Sequence, residues 1–150
     1  MIGELIRAAV SSLFGAMGFG ILVHAPVKSW IPGSLTAMAA FLVYWAALQL
    51  GMPDPAAIFC GSMFGALAAL YCSKRLKMIG TTFLMMSIVS FVPGLGLYRC
   101  MEYLGAGQTR LGAEQGVAAM ITIAMIVLGQ STGSFLYRSV TSLRKGRKKA

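Results

Sequence analysis

Catalysis needs side chains that carry a proton, an electron pair or a charge, and this sequence holds few of them. Four acidic residues, Glu4, Asp54, Glu102 and Glu114, are spread along the chain, and the single histidine is His24. Acid–base or nucleophilic chemistry requires a nucleophile beside an oriented base, or paired carboxylates. No local pattern supplies either, so an enzyme is not expected. Cys60, Cys72 and Cys100 are odd in number and have neither CxxC nor metal-ligand spacing. Neither a disulfide framework nor a metal site follows, and no cofactor is expected.

The sharpest signal is Phe91-Val92-Pro93-Gly94-Leu95-Gly96-Leu97-Tyr98-Arg99, with Glu102 one turn later. Proline removes a backbone donor and glycine weakens a helix, so a break is expected at Pro93-Gly94. A broken helix bares amides at the start of its second half, where the helix dipole favours an anion. A carboxylate suits that position. Arg99 can add a bidentate contact, with Glu102 at i+3 holding the guanidinium until the anion arrives. A blander reading competes: in a continuous helix from Ile79, Arg99 lies about 30 Å along, at a hydrocarbon boundary. There Arg99 snorkels, Tyr98 and Tyr103 are interfacial aromatics, and the Arg99–Glu102 pair contributes little.

Other polar groups are read structurally first. Thr81, Thr82, Ser87 and Ser90 precede the break, and Ser131, Thr132 and Ser134 lie further on; such hydroxyls more often bond back to the i−4 carbonyl than line a path. Gln130 is the least comfortable in lipid, because its amide needs several partners, and should face protein or water. His24 reads as an interfacial helix cap. Met85, Met86, Met120 and Met125 read as adaptable packing.

The elements that must position these residues follow from composition. Of 150 residues, 57% are hydrophobic and 11% charged, too little polar surface for a soluble domain of this size. The expected fold is an all-α integral membrane protein, a bundle of about five transmembrane helices near residues 5–24, 34–50, 56–72, 78–104 and 116–137, the fourth broken at Pro93-Gly94. Residues 25–33, with Pro26 and Pro32, read as an interfacial loop, 105–112 as a polar loop, and 138–150 as a basic tail. Residues 8–25 have the outline of a secretory signal, but Glu4 and Arg7 cancel, so an uncleaved first helix is expected. Small residues recur every fourth position at Ala8, Ser12, Ala16 and Gly20, at Gly61, Gly65 and Ala69, and at Gly129 and Gly133. These are close-packing faces, expected on the first, third and fifth helices to bind one another and a partner.

The net charge of +9 reflects topology, not nucleic acid. Ten of thirteen Lys and Arg residues fall on one side of a five-span arrangement: Lys28, Lys74, Arg75, Lys77, Arg138, Arg144, Lys145, Arg147, Lys148 and Lys149, against Arg7, Arg99 and Arg110. The positive-inside tendency puts the C-terminus in the cytoplasm and the N-terminus outside. The tail then meets anionic inner-leaflet lipids, worth about 1 kcal/mol per basic residue near the surface.

The chain resembles the threonine/serine exporters, in particular their C-terminal membrane half, which in many bacteria is a separate small protein. Phe19-Gly20-Ile21-Leu22 at the end of a Gly-rich helix, Thr82-Phe83-Leu84, and Val92-Pro93-Gly94-Leu95-Gly96-Leu97-Tyr98-Arg99 carry the likeness. One departure stands out. Relatives often have an additional Pro-Gly where this chain reads Met85-Met86-Ser87-Ile88-Val89-Ser90-Phe91. The resemblance implies a transport subunit of the bacterial inner membrane that works with a larger membrane protein similar to the exporter's N-terminal half. It also implies a substrate among threonine, serine and, by way of a split two-protein version, succinate; all three carry a carboxylate. The expected function is therefore the small subunit of a two-component exporter for carboxylate-bearing metabolites. In that role Pro93, Gly94, Gly96, Tyr98, Arg99, Glu102 and Gln130 form a site or path. The rival is a non-transporting scaffold for a larger membrane protein, in which every polar position is structural.

Overall fold

A backbone in lipid must satisfy its own hydrogen bonds, and this chain does so with helices throughout. The computed structural model describes the backbone of residues 2–147, with side chains for residues 3 and 6–142. The elements are α1 (Ile2–Leu22), α2 (Val27–Gln49), α3 (Asp54–Leu76), α4 (Gly80–Ile88), a 3₁₀ turn (Val89–Phe91), α5 (Gly94–Gly105) and α6 (Thr109–Arg147). No strand occurs among the described residues. The protein is thus an all-α membrane protein. Three helices, α2, α3 and α6, are long and apolar enough to cross a bilayer, and the pair α4–α5, bent by 53°, makes a fourth span if counted as one. The apolar stretch of α1, Ile6–Leu22, rises about 25 Å, less than a core of about 30 Å.

Helix α3 forms the centre of the bundle, and glycines let both its neighbours approach. A Cβ on Gly61 would lie 2.9 Å from the Tyr44 Cβ and 3.1 Å from the Ala40 carbonyl oxygen, and one on Gly65 3.0 Å from the Ala40 Cβ, so this face belongs to α2. The opposite face takes α6. A Cβ on Gly129 would collide with the Ser62 hydroxyl and sit 2.6 Å from the Phe59 carbonyl oxygen; on Gly133 it would sit 2.5 Å from that of Met63. Gly129 meets Phe59 and Gly133 meets Met63, so α3 and α6 run parallel. The core at their junction is Ala40, Ile58, Phe91 and Ile126, with Tyr44, Ile88 and Met125 packed around it. Phe91 belongs to the 3₁₀ turn, so the interruption of the fourth span is anchored in the core.

The stripe on α1 has other neighbours than expected. Ala16 is fully buried, but among the described residues α1 packs chiefly on α2, α4 and the 3₁₀ turn rather than on α3 or α6. Met86 explains this. Its side chain fills the space left by Gly20 of α1 and Gly33 of α2, a use suited to a flexible thioether.

Several boundaries move. The expected loop at 25–33 is helical from Val27, with Pro26 as N-cap and Pro32 inside α2. Pro32 is the sixth residue of α2, and the bond it removes is the one the Lys28 carbonyl in the first turn would accept. Hydroxyls and packing hold the turn: Ser29 Oγ donates to the Pro26 carbonyl at 2.7 Å, Ser34 Oγ to that of Trp30 at 2.7 Å, and Ser29, Gly33 and Ser34 are buried. The polar loop at 105–112 shrinks to Ala106–Gln108 because Gly112 packs against α5. A Cβ there would meet Leu104 Cγ at 2.8 Å and the Cys100 carbonyl oxygen at 3.2 Å, while one on Gly116 would lie 3.1 Å from Cys100 Sγ. Helix α5 therefore folds back antiparallel on α6 as a hairpin. Lys74 and Arg75 lie in the last turn of α3, not in a loop, and α6 runs on through Arg147 into the basic tail. The tail's Lys148, Lys149 and Ala150 lie outside the described residues.

His24 and Lys77 end α1 and α3 alike. Each adopts the left-handed region, with φ of 54° and 53°. The next amide bonds back across the last turn, Ala25 N–H to the Gly20 carbonyl and Met78 N–H to that of Ser73, both at 2.9 Å. His24 is thus the cap the sequence suggested.

Candidate functional site

The break in the fourth span is a consequence of Pro93. Helix α4 tightens into the 3₁₀ turn, and Val92 N–H reaches the Val89 carbonyl at 3.4 Å, taking the place of the amide that Pro93 lacks. Pro93, at φ −78° and ψ 54°, is the centre of an inverse γ-turn in which Gly94 N–H donates to the Val92 carbonyl at 2.8 Å. Helix α5 then starts without a side-chain cap. Leu97 N–H finds the Pro93 carbonyl at 3.0 Å, whereas no backbone acceptor meets the amides of Leu95 and Gly96. A positive helix end of this kind is what the Pro-Gly-x-Gly string suggested.

The other expected site residues divide into two groups. Tyr98, Arg99 and Glu102 lie on α5, which buries none of its residues, and all three are exposed. Among the described residues Arg99 and Glu102 form no ion pair and no side-chain hydrogen bond. Their expected pairing is absent because both side chains lie exposed, with no neighbour ordering them, and an exposed pair gains too little to form alone. Gln130 goes elsewhere. Its Nε2 donates to the Ser87 hydroxyl at 3.2 Å and to the Leu84 carbonyl at 3.4 Å, tying α6 to α4 on the near side of the break. It faces protein, as its amide requires, but does not join Arg99.

Beside the 3₁₀ turn lies a cavity of about 320 Å³, lined by Ala8, Ser11, Ser12 and Gly15 of α1, Phe41 of α2, and Val89 and Ser90 of the turn, and by no residue of α5 or α6. The hydroxyls of Ser12 and Ser90 hydrogen-bond across it. Ser12 lies halfway along α1 and Ser90 three residues before Pro93, so the cavity sits at the level of the break. Its volume is at the lower end of small-molecule sites, about 300 Å³. Sequence reasoning reached Ser90 as a candidate and Ser12 as packing, and missed Ser11, Phe41 and Val89. No local signal pairs residues 78 positions apart.

Two further candidate hydroxyls bond back within their own helices. Ser87 Oγ donates to the Leu84 carbonyl at 2.9 Å and Thr132 Oγ1 to that of Leu128 at 2.8 Å. Gly61, Gly65, Gly129 and Gly133 serve the helix contacts described above. No group of His, Cys, Asp and Glu among the described residues could hold a metal ion.

Comparison with known proteins gives a family match. The profile of the family described as Threonine/Serine exporter, ThrE, matches residues 8–136, from the first helix to the end of the fifth apolar run. Neither the curated proteins nor the solved structures give a match. With a match over most of its length, the chain belongs to the threonine/serine exporter family.

Proposed function

We propose that this chain is the small membrane subunit of a two-component exporter for carboxylate-bearing metabolites, threonine and serine or a dicarboxylate such as succinate. The observation that carries this reading is the break at Pro93, where an uncapped helix start and a hydroxyl-lined cavity of about 320 Å³ occur at one level of the bundle. Interrupted spans are where transporters place their substrates, because only there can bare backbone amides face a cavity. Leu95 and Gly96 offer amides to a carboxylate, Ser12 and Ser90 offer hydroxyls, and Arg99, free of Glu102, is available as the cationic partner. The chain itself is a transport subunit and not an enzyme.

In this proposal α1 is the fifth span, which places the N-terminus outside and the basic tail in the cytoplasm of a bacterial inner membrane. The arrangement of the bundle supports it: Lys28, Lys74, Arg75, Lys77 and Arg138 gather at one end, and Arg7, Arg99 and Arg110 at the other. The larger subunit, similar to the exporter's N-terminal half, completes the path. Its proposed contact is the apolar outer face of the α5–α6 hairpin, where Leu95, Met101, Val117 and Met120 are exposed.

Efflux of threonine, serine and succinate from cells lacking this chain, the larger subunit or both tests the reading, with Arg99→Ala and Arg99→Lys as graded probes. Export requires loss with alanine and at least partial loss with lysine, since an ammonium does not replace a planar fork. A scaffold leaves flux normal in both variants while the larger subunit remains abundant.

A further inference from the structure

The tail-bearing end of the bundle holds a second polar notch, separate from the break. Its volume is about 290 Å³, and its walls come from the end of α3 (Leu70, Ser73, Lys74), from α4 (Gly80, Thr81, Leu84) and from the C-terminal part of α6 (Tyr137, Arg138). Three features converge there. Helix α4 begins at Gly80 with no side-chain cap, and its first amides meet no backbone acceptor, so the positive end of a nine-residue helix opens into the notch. Ser73 is 94% buried, lines the notch, and its hydroxyl has no hydrogen-bond partner within the protein. Lys74 and Arg138 bring two positive charges to the rim, and the Lys74 ammonium is held 4.9 Å from the Tyr137 ring centroid.

No acidic side chain among the described residues neutralises this charge. No acidic residue occurs between Asp54 and Glu102 or after Glu114, and those three lie at the opposite end, where Asp54 accepts from Tyr44 and Glu114 pairs with Arg110. Gly80 keeps the notch open: a Cβ there would lie 3.2 Å from both Leu70 Cδ2 and Ser73 Oγ. An unpartnered hydroxyl on a serine that is otherwise buried, an uncapped helix start and two cations without an acidic partner among the described residues are together complementary to one kind of ligand.

We infer that this notch binds an oxyanion, the carboxylate or phosphate of a small metabolite or the phosphate of a lipid headgroup. The anion accepts hydrogen bonds from the amides of Gly80 and Thr81 and from Ser73 Oγ, and Lys74 and Arg138 close over it. The claim concerns binding, not flux, so its failure and the failure of the export reading are separate results.

The test uses the full chain in nanodiscs of neutral phosphatidylcholine, titrated with inorganic phosphate and with succinate, alongside nanodiscs containing phosphatidylglycerol analysed by native mass spectrometry. Lys74→Gln and Arg138→Gln are each expected to weaken saturable binding about tenfold, Ser73→Ala about threefold to tenfold. Arg75→Gln is the control, since that guanidinium donates to the Tyr71 hydroxyl at 3.2 Å and does not line the notch. Circular dichroism melts check that each variant folds. Saturable phosphate or succinate binding in neutral lipid assigns a soluble ligand. Retained phosphatidylglycerol that is lost in Lys74→Gln and Arg138→Gln, with no binding of the free anions, assigns the headgroup. No binding of either kind, or equal weakening by Arg75→Gln, overturns the inference.

Discussion

A methyl group at Gly133 should destabilise the bundle, although alanine is the better helix former. The added Cβ would lie 2.5 Å from the Met63 carbonyl oxygen and 2.9 Å from the Ala66 Cβ, where ordinary contacts need about 3.5 Å or more. Two of the three obstacles are backbone atoms of α3, which cannot rotate aside. Helices α3 and α6 must therefore separate by roughly 1 Å, and a gap of that size forfeits about a quarter to a half of the dispersion attraction of the atoms lining it. Overpacking of this type costs about 1–3 kcal/mol. The control is Gly18→Ala on α1, where a Cβ meets nothing within 4 Å and the exchange should gain about 0.5–1 kcal/mol from helix propensity. Reversible unfolding in mixed micelles, titrated with dodecyl sulfate and followed by circular dichroism, should thus move the two variants in opposite directions. If Gly133→Ala proves as stable as Gly18→Ala, the parallel backbone contact between α3 and α6 is wrong.

Three further outcomes follow. Gln130→Leu should cost little, about 1 kcal/mol or less in the same titration, because bonds of 3.2 and 3.4 Å inside a membrane bundle are weak; a loss above about 3 kcal/mol would mean a cooperative network around Ser87 that the geometry does not contain. Replacing the left-handed caps, His24→Gly or Lys77→Gly, should stabilise by up to about 1 kcal/mol, since an L-residue there carries about 1–2 kcal/mol of strain offset by glycine's greater chain entropy; destabilisation by His24→Gly would show an imidazole contact beyond capping. A fluorescent reporter fused after Ala150 should be bright and a phosphatase fused there inactive, the reverse pattern contradicting the proposed cytoplasmic tail.

What could be read from the sequence was what a single residue dictates. Pro93 has no amide wherever it stands, and in mid-span neither water nor an adjacent turn replaces the bond, so the break was legible from Pro93-Gly94. Pro32 has the same chemistry and gave the wrong boundary, because its lost bond falls in the first turns of α2, where Ser29 and Ser34 bond locally and Met86 packs over Gly33. Gly129 and Gly133 were recognised by their four-residue spacing. Gly112 and Gly116 have that spacing too, yet Gly112 was assigned to a loop and Gly116 only to the start of the last helix, since the neighbouring Gln108, Arg110 and Glu114 hid the first turns of that helix. The candidate site was legible along one helix and not across several. Arg99 and Glu102 stand at a pairing distance in sequence, but only tertiary packing orders such a pair, and both lie exposed, away from the contact of α5 with α6. The meeting of Ser12 with Ser90, and of Ser73 with Gly80 and Arg138, depends on how four helices fold back on one another.

The central claim is that the interruption of the fourth span serves transport and is not a flaw tolerated by a scaffold. Replacing Pro93 and Gly94 together by alanine restores the missing donor and the helix propensity, and a Cβ at Gly94 meets nothing within 4 Å. Efflux of labelled threonine, serine and succinate is then measured from cells containing the larger subunit and either form of this chain at equal abundance. The account predicts a stable membrane protein whose export falls by about tenfold or more, equivalent to at least about 1.4 kcal/mol on the barrier. Undiminished efflux through a continuous fourth helix would contradict it.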